Sequence, residues 1–432
     1  MKKIELIEQK SIFLKNFFLL IFFYILFEGA VRKWFLPNLI LEITLLRDCI
    51  VIYGILYSFK NGIYDKSNWQ ENVIFFWTIL VVVWAFVQFL IYQNNYKIYL
   101  VGFRGWVLYF WFALMFLNAF NKDTLDLISK TILLSIIPIG LLSIVQHFLP
   151  ITHALNVQSG LEAFPGEGIF TVTSGIPRTT GTFTFVSGFT EYMKFITPFF
   201  VYFIDGAYKN NLSKKIKVTL ILIFFLTCLT SGSRTTIMFA SIIMFCYFLY
   251  VAKNSKEKRI ATYIFWTLGL GIVGLVFFKT AIDATFERFV TATSGENSYY
   301  RIFVTIFGTS EAWEKFTFLG KGIGAGSNLS QSYVGNQVFS LGEFESTRNL
   351  REGGALGLLF LLFKVFFSII ILLKSYKISK SSNNILPFFF SLYVAQQILM
   401  ASTTSNLSSH AFTFLGLGFL FSILSVDFKE SK

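Results

Sequence analysis

Apolar runs long enough to span a bilayer recur along the whole chain, separated by polar breaks. The first spans are about Ile12 to Phe27, Leu39 to Phe59, Val73 to Tyr92, Ile98 to Leu117 and Leu127 to Leu149. The next four are about Gly181 to Ile204, Val218 to Thr230, Thr235 to Val251 and Ile260 to Phe278. The last three are Gly353 to Leu373, Ile385 to Ala401 and Ser409 to Val426. The pattern predicts an all-α polytopic membrane protein of about twelve transmembrane helices, forming one membrane domain over residues 1–432. Two polar stretches are too long to be simple turns. One covers residues 150–180, with its polar part from His153 to Thr180. The other, residues 281–351, lies between spans 9 and 10. A loop of that length inside a compact protein is usually functional.

Charge orients these elements. With the N-terminus inside, the loops Met1–Lys10, Lys60–Glu71, Ala119–Lys130, Gly206–Lys217, Ala252–Arg259 and Lys374–Asn384 and the tail after Val426 are cytoplasmic. They hold about twenty Lys or Arg, nearly all Lys, which satisfies the positive-inside rule at every loop. Both termini are then cytoplasmic, and both long loops face outward. The outward cations are mostly Arg instead: Arg32, Arg178, Arg234, Arg288, Arg301, Arg348 and Arg351. The guanidinium fork binds phosphate bidentately where a Lys ammonium is a point charge. An outward Arg set therefore asks for an anionic partner, with pairing to lipid headgroups or to a nearby Glu as the plainer reading of any one of them.

Composition removes several classes. The chain has 54% hydrophobic and 14% charged residues, with 55 Phe, whereas a soluble domain carries roughly a quarter charged residues. The formal net charge of +13 lies mostly in the inside loops, so nucleic acid is not the implied partner. Cys49, Cys228 and Cys246 fall in apolar runs with no metal-ligand spacing, and no metal or cofactor is expected. The N-terminal apolar run has no small-residue cleavage site and reads as an uncleaved first span.

Candidate chemistry clusters at the outward ends. Arg178 precedes span 6, Arg234 opens span 8, and Arg348 and Arg351, three apart, open span 10. Helix N-termini carry partial positive charge and free N–H groups, so three such ends could converge on one diphosphate. Glu352 reads either as a capping-box carboxylate for Asn349 or as a carboxylate that deprotonates an acceptor hydroxyl or orients the arginines. Glu343 and Glu345 compete for that role, and His410 is a further candidate base or a plain interfacial polar residue. Arg47, Asp48 and Arg104 lie within spans and read as a structural ion network, with a proton or substrate path as the alternative. GKGIGAGS, Gly320 to Ser327, has a glycine pattern but no GKS or GKT ending, and reads as a flexible turn.

Four stretches together resemble the O-antigen polymerase/ligase family of bacterial membrane glycosyltransferases, the Wzy and WaaL types. They are SGIPRTTGTFTFVSGFTEYMKF, TSGSRTT, FLGKGIGAGSN and GEFESTRNLREGGALGLLF, spanning Arg178 to about Phe363. The last carries a Glu-x-Gly-x-x-Gly pattern at Glu352, Gly354 and Gly357. Where the ligase branch typically has His, this chain has Glu343–Phe344, which favours the polymerase branch. The resemblance implies a GT-C-type fold in the bacterial cytoplasmic membrane, with undecaprenyl-diphosphate-linked glycan as substrate and a chain-length regulator as a candidate partner. The implied reaction is metal-independent, inverting polymerisation of repeat units. Its diphosphate would be bound by Arg178, Arg234, Arg301, Arg348 and Arg351, with Arg288 beside them. Glu352, Arg351 and Arg234 would be catalytic. A ligase, a flippase for the lipid-linked unit and a non-catalytic scaffold are the competing readings. A flippase predicts cations within its spans and repeated halves.

Overall fold

The computed structural model describes residues 2–64, 68–158, 171, 176–207, 212–254, 279, 282, 283, 286, 298–327, 330, 344–404 and 406–430. The expected span 9, most of the long outer loop, Arg288 and Glu343 lie outside these residues.

The described chain is helical, with no strand among the described residues and one isolated bridge between Thr171 and Pro177. We number the helices in order. They are α1 Lys2–Ala30, α2 Ile40–Lys60, α3 Trp69–Tyr92, α4 Tyr96–Phe103, α5 Tyr109–Leu114, α6 Lys122–Leu134, α7 Ile136–Phe148 and α8 Val186–Asp205. There follow α9 Lys214–Thr230, α10 Arg234–Asn254, α11 Ser298–Phe307, α12 Ser310–Glu314, α13 Glu345–Gly353, α14 Ala355–Ser382, α15 Leu386–Met400 and α16 Leu407–Glu430. Two π-helical turns, Val31–Phe35 and Arg104–Leu108, follow α1 and α4. Side chains close several ends: Ser213 Oγ accepts from Ile216 N, Asn95 Oδ1 from Lys97 N and Thr309 Oγ1 from Ala312 N. At α14 the chain leaves through Asn383 in the left-handed region, φ 50°.

Among the described residues six stretches are long and apolar enough to cross a membrane: Glu8–Phe35, Trp69–Tyr92, Lys122–Phe148, Arg234–Lys253, Ala355–Ser382 and Leu407–Val426. These carry the membrane character of the chain. The other spans read from described sequence are helical too, but shorter, broken or more charged. Span 2 is α2, with Glu42, Arg47 and Asp48 inside it, and span 4 is divided into α4, a π turn and α5.

The chain divides into two compact units. Unit 1 comprises Met1–Ile25, Leu41–Leu125 and Asn297–Lys432. In it α14, α15 and α16 pack on one another, α5 packs on α16, and α13 lies against α11, α12 and α14. Phe18 is fully buried against the rings of Phe116, Phe120 and Phe419. A cavity of about 500 Å³ in this unit is lined by Phe360, Phe363, Lys364, Phe367, Phe414 and Leu417 among others. Unit 2 comprises Leu26–Ile40 and Asp126–Glu296. There α7 packs on α9, and α10 packs on α8 and α9. Phe200 and Phe224 stack at 3.8 Å, joining α8 to α9.

Candidate functional site in unit 1

The described remainder of the long polar loop folds onto a short helix. Residues 298–327 contribute α11, α12 and the glycine-rich segment, and α13 seats against all three. A helix of this length leaves its last carbonyls without partners. The glycine segment supplies them: Lys321 N donates to Arg351 O at 2.7 Å and Gly322 N to Glu352 O at 3.2 Å. Gln88 of α3 ties both to the body. Its Nε2 donates to the carbonyls of Leu319 and Glu352, and its Oε1 accepts from Ile323 N at 2.9 Å.

Glu352 is the centre of this arrangement. Its carboxylate is 3% exposed and accepts three N–H groups. Gly324 N and Trp106 Nε1 reach Oε2 at 3.1 and 3.2 Å, and Gly326 N reaches Oε1 at 2.7 Å. Burial pushes this carboxyl up to about 7, against the lowering pull of the three donors and of the Arg348 charge. The glycines are required here. Gly324 has φ +89°, and a Cβ on it would meet the Ile98 carbonyl and the backbone of Gly102 in α4. The capping-box reading of Glu352 is therefore corrected: α13 starts at Glu345 after its N-cap Phe344, so Glu352 lies in its last turn, and its carboxylate is given to Gly324, Gly326 and Trp106. The flexible-turn reading of Gly320 to Ser327 is corrected as well. Gly322 through Ser327 are buried, and their N–H groups form an anion cradle whose anion is the chain's own carboxylate.

At the start of α13, Glu345 is buried and accepts Lys364 Nζ at 2.7 Å and Thr403 Oγ1 at 2.8 Å, together with Thr404 N. Burial would raise this carboxyl, but the Lys364 charge and these bonds outweigh it and hold it below the ordinary value. Thr403 carries its carbonyl to His410 Nδ1. His410 is fully buried, packed edge-on against Tyr109 at 4.2 Å, so it is not an interfacial residue open to an acceptor. Tyr109 in turn donates to Asp48 Oδ1 at 2.6 Å and accepts from Arg47 Nε at 3.2 Å, while Arg104 Nε pairs with Asp48 Oδ2 at 2.6 Å. The ion network expected from Arg47, Asp48 and Arg104 is built around this tyrosine.

The expected site residues divide by unit. Arg301, Arg348, Arg351 and Glu352 belong to the α11–α13 assembly of unit 1. The Arg301 guanidinium lies over the Phe344 ring at 5.8 Å. Arg351 is 9% exposed, and its Nη2 pairs with the exposed Glu311 at 2.9 Å. Burial draws Arg348 below its ordinary value, opposed by the charges of Glu352 and Glu345. Neither Arg348 nor Arg351 opens a spanning helix. The break at Gly354, φ +56°, separates α13 from α14, and Ala355 N is already given to Phe318 O at 2.8 Å.

Arg178 and Arg234 belong to unit 2. There Gln146 Oε1 accepts from Thr180 N and Gly181 N at 3.2 and 2.8 Å, fixing the segment after Arg178. Arg234 begins α10, but Ser233 Oγ accepts Thr236 N there at 3.4 Å, so that helix end is capped from within.

Gln88, Trp106 and Lys364 carry the site and are absent from the sequence-based candidates. Lys364 and Gln88 each left a trace, a lone polar group inside an apolar helix that needs a buried partner. Trp106 left none. Among the described residues no group of three or more His, Cys, Asp or Glu could hold a metal ion. No protein-family model, curated protein or solved structure matches this chain. The fold therefore defines a helical protein with several apolar, membrane-length helices, and its function rests on the site.

Proposed function

We propose that this chain is a membrane glycosyltransferase that polymerises oligosaccharide repeat units carried on undecaprenyl diphosphate, at the outer face of the cytoplasmic membrane. The observation that carries this reading is the α13 assembly. Two of the resembling stretches, FLGKGIGAGSN and GEFESTRNLREGGALGLLF, are locked together through Glu352, on the helix that bears Arg348 and Arg351. In the proposed reaction an acceptor hydroxyl attacks the donor's anomeric carbon, the bond to the diphosphate oxygen breaks, negative charge develops on the leaving group, and the hydroxyl proton passes to the departing diphosphate. Arginine forks held in place beforehand stabilise that charge without reorganising. Glu352 takes a positioning role here, because its oxygens are already occupied by N–H donors. The 500 Å³ apolar cavity of unit 1 is a berth for part of a polyprenyl tail.

A flippase is the second reading. The observation favouring it is the buried Arg47–Asp48–Arg104 cluster inside unit 1, since transporters place charges within their spans. Surface glycan length in a deletion strain separates the two, with complementation by wild type or Arg348→Ala at matched expression. Polymerase activity predicts a single repeat unit in the deletion, a ladder with wild type and none with Arg348→Ala. Lipid-linked units trapped on the cytoplasmic face favour the flippase, and full-length chains retained on the carrier lipid favour a ligase.

A further inference from the structure

Arg32 lies in the π turn Val31–Phe35 of unit 2 and is 3% exposed. Its Nη1 donates to Glu28 Oε1, one turn back, at 3.1 Å. Its Nε and Nη2 are buried with no hydrogen-bond partner among the described residues. Those two nitrogens form the side edge of the guanidinium, a pair of near-parallel N–H directions that fits two oxygens of one oxyanion. Glu28 thus fixes one end of the group and leaves the fork open. Buried donors in native proteins are nearly always satisfied, so an open fork on a buried cation calls for an acceptor from outside the chain.

The segment packed against this turn is held by hydrogen bonds of its own. Gly29 lies one turn before Arg32, and a Cβ on Gly29 would overlap the backbone of Thr182, Phe183 and Thr184. The end of α1 is therefore seated directly against the segment that follows Arg178. Lys33 gives its Nζ to Thr180 Oγ1 and Gly181 O, both at 3.0 Å. Thr182 Oγ1 donates to Leu26 O at 2.5 Å, and Gln146 holds the Thr180 and Gly181 N–H groups. These polar groups of the segment are committed to one another, and the Arg32 fork stays outside their network.

We propose that Arg32 is an oxyanion-binding residue, whose Nε–Nη2 edge takes two oxygens of a phosphate group on a ligand held beside the Thr180–Thr182 segment. Glu28 orients the guanidinium for that ligand. The inference adds a phosphate contact to the polymerase reading, and it rests on that reading only for the identity of the phosphate's bearer.

The test uses the full chain in detergent and reads binding rather than glycan synthesis. Inorganic diphosphate and undecaprenyl diphosphate are titrated against wild type, Arg32→Lys, Arg32→Gln and Glu28→Gln, with each melting temperature recorded without ligand. Melting is also compared in nanodiscs of phosphatidylglycerol and of phosphatidylcholine. Arg32→Lys keeps the charge and removes the fork, so a roughly tenfold or greater loss of diphosphate affinity is expected at an unchanged ligand-free melting temperature. Glu28→Gln keeps the fork and is expected to bind within roughly threefold of wild type. Arg32-dependent stabilisation by phosphatidylglycerol alone supports the phosphate contact and assigns it to a lipid headgroup. Equal affinity of wild type and Arg32→Lys for every phosphate ligand overturns the proposal, and the fork then holds a buried water. If Arg32→Lys lowers the ligand-free melting temperature, Glu28→Gln decides: a purely structural pair loses stability in both variants and leaves the affinity of the folded fraction unchanged, which also overturns it. Arg32-dependent diphosphate binding without a glycan ladder would sink the polymerase reading and keep this one. A ladder with Arg32-independent binding would do the reverse.

Discussion

Glu352 is a carboxylate whose burial and hydrogen bonds pull in opposite directions. Burial raises its pKa to about 7, so between its unfolded value near 4.5 and about 7 the folded state holds a proton that the unfolded state has released. Its contribution to stability is fully present below about 4.5 and is lost as pH rises through about 7, to the extent of about 3 kcal/mol. Thermal unfolding followed by Trp fluorescence should show the melting temperature falling from pH 5 to pH 8, with a flatter profile in Glu352→Gln. An identical slope in the two proteins would remove Glu352 as the cause. The Lys364–Glu345 pair makes a different demand, because both charges are buried at 2.7 Å. Lys364→Met strands a buried carboxylate and should destabilise by about 3–5 kcal/mol. Adding Glu345→Gln to the same chain should recover most of that loss, and a double variant no better than the single one would show that the pair acts mainly through packing.

At the scale of elements, the glycine-rich segment and α13 form one piece. The segment closes the carbonyl end of α13, cradles Glu352 and approaches α4 so closely that Gly324 and Gly102 leave no room for a side chain. Gly324→Ala meets backbone and also forces an L residue to φ +89°, so a loss of roughly 1–3 kcal/mol or more is expected. Gly62 provides the control: it has a positive φ too, but open space at its Cβ position, so Gly62→Ala should lose only the smaller conformational part. Equal melting temperatures for the two variants would mean that α4 does not hold the segment. The π turn Arg104–Leu108 has a related role. It brings Arg104 to Asp48 and Trp106 to Glu352 from positions two apart in one broken helix, a local widening often found where side chains must be re-aimed.

For the whole molecule, the alternation of Lys-rich loops predicts an orientation that reporter fusions can test. Alkaline-phosphatase fusions within residues 150–180 and 281–351 should be active, and those after Lys60 or within Lys374–Asn384 inactive. Activity at Lys374–Asn384 would break the alternation on the C-terminal side and with it the twelve-span reading. The helical elements were legible because lipid-length apolar runs have few alternative structures. Their grouping was not: α6 through α10, together with the end of α1, form unit 2, and the remaining helices form unit 1. Apolar composition is the same on either side of that division.

The sequence by itself determined the helical class, the membrane-length runs and the Lys-rich composition of alternate polar loops. Each of these depends on composition and spacing within one short segment. It also placed Arg348, Arg351 and Glu352 close together, because three and four residues are one helical turn. Only the tertiary structure decided what those residues meet. That Glu352 faces Gly324, Gly326 and Trp106, that Glu345 meets Lys364 and Thr403, and that Arg32 keeps an open fork all depend on contacts between distant segments. A buried polar group takes whichever partner the packing brings within hydrogen-bond reach, and sequence spacing carries no record of that choice.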